Sequence, residues 1–292
     1  MSHSDPIRNR YDFVYLFDCR DGNPNGDPDF ENRPRVDPQT LQGLVTDVCL
    51  KRKIRDYVLL AKSVNGTIEP GYDIFVLSGS SLESRQRMPY DHLNLEMKIS
   101  DGQQISRARQ WMCQNFFDVR AFGAVMATTA FNCGQVRGPV QLTFARSFDR
   151  VCSIEHTITR VNFTLDAKQH KTRGAEIGHK HTISYGLYRV YGFINPGFAL
   201  QTGFSEQDLH VLWRAMLNMF DMERSAARGF MSSRGLYVFR HDSALGCASA
   251  HSLFEQIDVA KRDGIEAPSS FEDYIVTVNR ARLPAGVALQ EF

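Results

Sequence analysis

The chain has 292 residues, of which 42% are hydrophobic, enough for a substantial core in one large domain or two small ones. No apolar run approaches the roughly 20 residues that span a bilayer, and the first residues lack the apolar segment of a secretory signal. Six scattered cysteines form no C-x-x-C pair, which argues against a zinc ribbon and a disulfide framework. The formal net charge of +1 argues against nucleic-acid binding by bulk charge alone. This composition predicts a soluble, cytoplasmic protein.

The first part of the sequence predicts a strand, an irregular loop and a helix. YDFVYLFDC, residues 11–19, is apolar on both faces, which is typical of a strand in the middle of a sheet. The next segment, DGNPNGDPDFENRPR, is too rich in Asn, Pro, Gly and Asp to be regular. Asp37 as N-cap and Pro38 as the first helical residue predict a helix that runs to about Tyr57.

The predicted helix carries an unusual charge pattern. One face holds apolar residues in the first half and continues as three cations in the second: Leu41, Leu44, Val45 and Val48, then Lys51, Arg52 and Arg55. Cations near a helix C-terminus complement the macrodipole, which explains one or two of them on a surface helix. A phosphate chain lying along the helix explains all three, because Arg and Lys contacts position a backbone without reading bases. The residues alone leave both interpretations open.

The rest of the chain predicts an α+β protein. Residues 79–135 are irregular in pattern and predict an insertion with one helical piece near 105–117. Beyond it the sequence predicts strands and helices in alternation: strands over 140–147, 154–166, 183–194, 235–241 and 273–280, and helices from Ser205, where SEQD resembles a capping box, and over 249–261. Polar residues between Lys168 and His181 predict an exposed hairpin tip. This order is typical of a ferredoxin-like core.

Two motifs could suggest a metal, and neither is complete. Residues 21–26 match the first half of a calcium loop, but Asn32 occupies the place of the essential Glu, so a turn stabilised by Asn and Asp is the simpler interpretation. The same Asn and Gly amides, beside Arg33 and Arg35, are also suited to a phosphate. Residues 179–181, HKH, supply only two metal ligands. Without a phosphate-binding loop, a dinucleotide fingerprint or a catalytic triad, the sequence predicts no catalytic residue, metal or cofactor.

Several further segments are basic. They place cations beside a Gly-Pro turn, in the hairpin tip and in a segment of small residues: Arg137, then Lys171, Arg173 and Lys180, then Arg224, Arg228 and Arg234. On a chain of near-zero net charge, this pattern predicts that several loops and one helix converge on one polyanion.

Four long segments match a known family in order: NGDPDFENRPRVDPQTLQGLVTDVCLKRKIRDYV, VRGPVQLTFARS, ISYGLYRVYGFINPGFA and MERSAARGFMSSRGLYVFRHDSALGCASAH. They resemble the backbone subunit of type I-C CRISPR interference complexes (Cascade), in the RAMP superfamily, from about Tyr11 to Asn279. The resemblance implies one domain over residues 1–292, built on an RRM-like (ferredoxin-like) palm. It further implies a finger-like insertion at 79–135 and a β-hairpin thumb at 166–182.

The resemblance also implies a function. A backbone subunit of this family binds the CRISPR RNA, polymerises along it and presents it for pairing with target DNA in an antiviral complex. Its partners would be the guide RNA, target DNA by way of the guide, further copies of itself in a helical filament, and other subunits, with no membrane. The family's basic first helix is matched by VTDVCLKRKIR. With the basic loops, the expected RNA-binding residues are Asn25, Arg33, Arg35, Thr46, Lys51, Arg52, Arg55, Arg137, Lys171, Arg173, Lys180, Arg228 and Arg234.

Two alternatives remain at this point. The type I branch of the family is non-catalytic, but relatives cut RNA with a loop Asp or a His, and this chain has Asp21, Asp27, Asp29 and nine histidines. It could therefore be a RAMP-type endoribonuclease that processes the CRISPR precursor transcript. The other alternative is a cytosolic α+β protein in which the basic helix lies on the surface and its cations only complement the helix macrodipole.

Overall fold

The computed structural model describes residues 5–96, 101–128, 130–160 and 176–292. The strands are β1 Tyr11–Gly22, β2 Gly26–Asp27, β3 Arg33–Pro34, β4 Gln42–Val45, β5 Ser63–Val64, β6 Thr67–Ile68, β7 Gly123–Met126, β8 Gly134–Arg137, β9 Val140–Leu142, β10 Ala145–Arg150, β11 Ser153–Arg160, β12 Glu176–Ile194, β13 Phe230–His241, β14 Ile257–Lys261, β15 Tyr274–Val278 and β16 Val287–Glu291. The helices are α1 Asp47–Ala61, α2 Leu82–Leu93, α3 Gly102–Asn115, α4 Phe117–Phe122, α5 Pro196–Thr202, α6 Glu206–Met222 and α7 Ala250–Phe254.

The main sheet is antiparallel, with the strand order β16-β13-β1-β12-β10-β4, and β9 and β11 also pair with β12. β1 lies between β12 and β13 and pairs with both along almost its whole length. Its Phe13, Tyr15 and Phe17 join the core beneath α1 and α6, whereas Val14 and Leu16 join the core beneath α7 and β14. The prediction of a central strand with two apolar faces is therefore confirmed.

The helix predicted from Ser205 is also confirmed. Ser205 and Asp208 form the predicted capping box, in which each side chain accepts a hydrogen bond from the other's backbone N–H. The Asp208 carboxylate also pairs with Arg120 on α4, at 2.9 Å from Nε and 2.7 Å from Nη2. One acidic residue thus stabilises the start of α6 and attaches α4 to it.

The first helix begins later than predicted. Asp37 Oδ1 accepts hydrogen bonds from the N–H groups of Gln39 and Thr40, at 3.0 and 3.1 Å, so it stabilises a turn rather than a helix. Residues 42–45 form β4 at the edge of the sheet, and Thr46 is the N-cap of α1. An Asp-Pro pair favours a turn as well as a helix start, and a short apolar run does not distinguish a strand from a helix.

The interpretation of the charge pattern changes as a result. The buried face of α1 consists of Leu50, Lys53, Ile54, Tyr57 and Val58. The apolar residues at 41–45 precede the helix, and Val48 is exposed. The three cations therefore do not continue a buried apolar stripe, and that argument from the sequence is wrong.

Other boundaries also differ from the predictions. In place of the helix predicted over 249–261, the chain forms the short α7 and then β14. The strand predicted over 273–280 is present as β15, and a further strand, β16, follows it at the edge of the main sheet. Residues 82–93 form α2, where the sequence pattern was irregular. Residues 176–181 belong to β12 rather than to a hairpin tip, and residues 161–175 lie outside the described ranges.

A second, smaller core consists of residues of the segment predicted as an insertion together with Phe75, which precedes it, and Val136, which directly follows it. It joins side chains of α2, α3 and α4 to the β7–β8 pair, and includes Tyr90, Met112, Val119, Met126 and Val136. Among the described parts of the chain, no helix combines the length and apolar character that crossing a bilayer requires.

Candidate nucleic-acid interface

The N-terminal end of α1 lies against the loop that follows β1. The Thr46 hydroxyl oxygen accepts a hydrogen bond from the Cys49 N–H at 3.3 Å. The N–H and the hydroxyl of Thr46 donate to Asn25 Oδ1 at 2.9 and 3.0 Å. These bonds fix the Asn25 amide at the end of the helix where the macrodipole is positive. Two residues expected to bind RNA therefore meet at a place suited to an anion.

The loop at 22–35 is joined to the loop at 223–229. The Arg228 Nη1 donates to the carbonyl oxygens of Asn23 and Pro24, at 3.1 and 2.8 Å. In return, the Asn23 N–H donates to the Ala227 carbonyl oxygen at 2.8 Å. Arg228 thus fixes the two loops against each other, and part of its hydrogen-bonding capacity is used for this.

The paired strands β11 and β12 contact both loops. Lys180 on β12 donates to the Ala226 carbonyl oxygen. Arg33 Nη2 lies 3.2 Å from the Glu31 carboxylate and 3.8 Å from that of Glu155 on β11. His179 Nδ1 lies 2.8 Å from the other oxygen of Glu155. We call this arrangement the loop junction: the loops at 22–35 and 223–229, the adjoining part of β11 and β12, and the N-terminus of α1.

The cations of the loop junction differ in their exposure to solvent and in the groups with which they pair. Arg35 Nη1 pairs with Asp27 Oδ2 at 3.0 Å, and its Nε is buried without a partner in the described residues. Arg33 contacts Glu31 and Glu155 through Nη2, and Lys180 contacts Ala226 through Nζ, but both side chains remain partly exposed to solvent. The loop junction therefore presents both fixed and exposed donors.

The three cations of α1 have different environments. Lys51 pairs with Asp47 at 2.9 Å, and its Nζ lies 5.7 Å from the centre of the Phe122 ring. Arg52 is exposed over 67% of its side chain and lies 3.6 Å from Asp56. Arg55 is only 12% exposed and pairs with a buried carboxylate. Of these three, Arg52 is the cation that the helix displays to solvent.

Two predicted residues lie away from the loop junction. The Arg137 guanidinium lies 4.5 Å from the centre of the Phe198 ring, beside α5. Arg234 lies on the sheet face opposite α1, where its Nε donates to Asp18 Oδ2 at 2.8 Å and Tyr185 donates to the same oxygen at 3.0 Å. Burial raises the pKa of Asp18 above its usual value, and Arg234 opposes that shift. Arg234 therefore has a structural partner.

The remaining predicted residues, Lys171 and Arg173, lie outside the described ranges. Arg20 was not predicted from the sequence; it is exposed at the end of β1 and makes no ion pair with a described residue. Its position directly between the apolar strand and the loop could have indicated it. Lys53 was not predicted either; it is buried and pairs with Glu223 at 2.5 Å, which joins α1 to the end of α6.

The loop junction is suited to holding a phosphate backbone. It combines side-chain amides, guanidinium and ammonium groups and a helix N-terminus, all of which contact phosphate oxygens without reading base sequence. Within the described ranges, no three His, Cys, Asp or Glu side chains are grouped so that they could hold a metal ion.

Two solved structures are distantly similar to this chain. One is a chain of the "CRISPR RNA-guided surveillance complex, pre-nicking", with a TM-score of 0.49 and 14% identity over 79% of this chain and 78% of that chain. Another is a chain of a "CRISPR RNA-guided surveillance complex", with a TM-score of 0.44 and 15% identity over 79% and 68% of the two chains. Neither overlap is close enough to support a conclusion about function.

Sequence comparison is more informative. The "CRISPR-associated protein Cas7" of Haloferax volcanii is 28% identical over an alignment of 231 residues, and the alignment covers 72% of this chain. It covers 65% of that relative's length, slightly less than two thirds. The family model "CRISPR-associated protein Cas7" matches residues 9–279, from the start of β1 beyond the end of β15. The chain therefore belongs to the CRISPR-associated protein Cas7 family.

Proposed function

We propose that this chain is a guide-RNA-binding backbone subunit of a CRISPR interference complex, with no catalytic role of its own. The observation that carries the proposal is the loop junction, in a chain of the Cas7 family. Donors from four segments meet there, and together they suit a phosphate backbone. Sequence is then read by base pairing between the guide and its target, while the protein holds the backbone.

The proposal divides the expected RNA-binding residues into two groups. Asn25, Arg33, Arg52 and Lys180 reach solvent and supply contacts to phosphate. The others near the loop junction chiefly position it: Arg35, Thr46, Lys51, Arg55 and Arg228. Arg137, Lys171, Arg173 and Arg234 stay predictions from the sequence.

The sheet supports the finer proposal of an RRM-like palm. A split βαβ arrangement would place β13, β1 and β12 side by side with β9 next to β12 and with α1 and α6 over one face, and these pairings support the proposal. We further propose that residues 79–135 are a finger-like insertion and that residues 166–182 belong to a β-hairpin thumb, to which the described pair of β11 and β12 contributes. The type I-C assignment and a cytoplasmic location rest on the four sequence segments and the composition.

The proposed partners follow from the same function. They are the guide RNA, target DNA through the guide, other subunits, and further copies of this chain in a helical filament. Repeated head-to-tail contacts need no symmetric patch. The net charge of +1 suits such a filament, because many copies of a strongly cationic chain would repel one another.

The experiment that tests this proposal is light scattering of the purified protein, combined with its ultraviolet absorbance ratio, before and after ribonuclease. We expect large assemblies that contain RNA and become smaller on digestion. An RNA-free monomer that gains nothing from added guide would contradict the proposal. A precursor transcript added under single-turnover conditions should stay intact. Cleavage that alanine at His156 or His179 abolishes would instead establish the endoribonuclease alternative.

A further inference from the structure

A cleft of about 560 Å³ lies between α3, α5 and β8. One face of α3 forms its first wall, through Ser106, Arg109, Gln110 and Cys113, whose spacings of three, four and seven residues place them together. Arg137 on β8 and residues 200–203 at the end of α5 form the other walls. The volume lies within the roughly 300–1,000 Å³ of small-ligand sites. No residue of the loop junction lines it.

Two guanidinium groups give the cleft its charge. Neither Arg109 nor Arg137 makes an ion pair with any residue in the described ranges. The Arg137 guanidinium is held over the Phe198 ring, at 4.5 Å from its centre, which limits its freedom before any ligand binds. A third guanidinium, that of Arg120, is neutralised by the Asp208 carboxylate at 2.7 Å. The cleft therefore carries two positive charges that no described carboxylate compensates.

The acidic residue at the mouth of the cleft does not change this balance. Asp5 lines the cleft, but its exposed carboxylate lies 3.4 Å from the Arg8 guanidinium. An exposed ion pair of this kind is weak, and the opposite charges of Asp5 and Arg8 together add almost no net charge to the cleft.

One residue that lines the cleft has a buried hydroxyl without a hydrogen-bond partner among the described residues. Thr202, the last residue of α5, is 5% exposed and lines the cleft. Its Oγ1 makes no hydrogen bond with any described residue. A buried hydroxyl without a partner costs free energy, which a bound acceptor recovers. Because a hydroxyl both donates and accepts, Thr202 can donate to an anionic oxygen held by the two guanidinium groups.

We propose that this cleft binds a nucleotide, with its phosphate between Arg109 and Arg137 and with the Thr202 hydroxyl as a further donor. Guanidinium groups match the geometry and charge of a phosphate. The cleft also has room for more than an anion, and Gln110, Gln114 and Gln201 line it with amides that can donate to and accept from a base edge. The nucleotide is either free or part of a single strand, and the phosphate chemistry is the same in both.

The test titrates the full chain with adenosine 5′-monophosphate by calorimetry, and with a short labelled single-stranded oligonucleotide by fluorescence anisotropy. The variants are Arg109→Gln combined with Arg137→Gln, and Thr202→Val, which removes only the hydroxyl. Arg87→Gln is the matched control, because Arg87 is exposed on α2 and does not line the cleft. Thr202→Ser keeps the hydroxyl and should therefore retain the binding that Thr202→Val loses.

We expect the double variant to lose at least about tenfold in affinity, as for charge-assisted hydrogen bonds, and Thr202→Val about fivefold. Thr202→Val should keep or raise the melting temperature, because the hydroxyl it removes is unpartnered without ligand. A loss measured with the mononucleotide identifies a free nucleotide, and a loss confined to the oligonucleotide identifies a nucleotide of a strand.

The proposal is overturned if the double variant loses no more affinity for either ligand than Arg87→Gln does. It is equally overturned if Thr202→Val leaves both affinities unchanged. Light scattering of Arg109→Gln and of Thr202→Val tests the proposed function separately, because neither variant changes a residue expected to bind the guide or a residue of the loop junction. Failure of this inference and failure of the proposed function are therefore distinguishable.

Discussion

Arg55 on α1 and Asp118 on α4 form a buried ion pair, with 2.8 Å between Arg55 Nε and Asp118 Oδ2. The Asp118 carboxylate also accepts hydrogen bonds from the N–H groups of Phe75 and Val76, at 2.8 and 3.0 Å. The two side chains are 12% and 1% exposed. The pair therefore attaches the first helix to the segment with the second core, and Arg55 positions α1 rather than displaying a free charge.

Replacing Arg55 with Ala should lower the free energy of unfolding by about 3–5 kcal/mol, because Asp118 would stay buried without its cationic partner. Urea unfolding followed by circular dichroism measures this change. Arg52→Ala is the matched control on the same helix, and we expect it to alter stability by less than about 0.5 kcal/mol, since Arg52 is exposed. Equal losses in the two variants would show that the ion pair does not support the fold.

RNA affinity, unlike stability, should depend on the exposed Arg52. Arg52→Ala should weaken guide binding to a similar extent for any guide sequence, because a phosphate contact carries no sequence information. The slope of log affinity against log salt should fall in magnitude by about one. Arg87→Ala is a close control, because Arg87 pairs with Asp91 four residues later at 3.1 Å, as Arg52 pairs with Asp56 at 3.6 Å. An unchanged salt slope in Arg52→Ala would exclude this contact.

The elements that the sequence predicted correctly are those whose signal is local. β1 has two apolar faces within one short run, so its central place in the sheet could be inferred without knowing its neighbours. α6 begins with a capping box, which needs only the residues from Ser205 to Asp208.

The partners of the cations could not be predicted, because they come from distant parts of the chain. Asp118 is 63 residues from Arg55, and the partner of Lys53 is 170 residues away. A sequence shows that a helix is basic but not which of its charges the fold already neutralises. The predicted start of α1 was wrong for a related reason, since residues 42–45 form a strand by pairing with β10, which is about 100 residues away in the sequence.

The turn that replaced the predicted helix start has a measurable electrostatic signature. The Arg146 guanidinium, 2.7 Å from Asp37, and the N–H groups of Thr40 and Gln39 lower the pKa of Asp37 from 3.8 to about 2. Arg146→Gln should raise that pKa, though not fully, because the two backbone donors remain. Titration of the Asp37 carboxyl carbon by NMR measures the shift, and a pKa that stays near 2 would assign the effect to the backbone alone.

The same group contributes to the pH dependence of stability. Its pKa is lower in the folded state, so its contribution is present above the unfolded value near 3.8 and is lost as the pH falls through about 2. Wild type and Arg146→Gln should therefore differ more in melting temperature at pH 6 than at pH 2. A difference independent of pH over that range would contradict the assignment.

Gly229 lies where the two loops of the loop junction cross. Its φ is +61°, and a β carbon added there would lie 2.4 Å from the Asp21 carbonyl oxygen, so both the conformation and the space require glycine. Gly264 is a matched control, because its φ is +82° but nothing lies within 4 Å of an added β carbon. Alanine at either position costs about 1–2 kcal/mol for the left-handed conformation.

Gly229→Ala should therefore destabilise the protein by about 1–3 kcal/mol more than Gly264→Ala, because only Gly229 meets backbone atoms that cannot move aside without separating the loops. The difference between the two urea midpoints isolates the steric part, since the conformational cost is common to both. If the loop junction binds RNA, Gly229→Ala should also weaken guide binding, because Asn23 and Arg228 would lose their alignment. Equal destabilisation by the two variants would mean that the loops do not need this close approach.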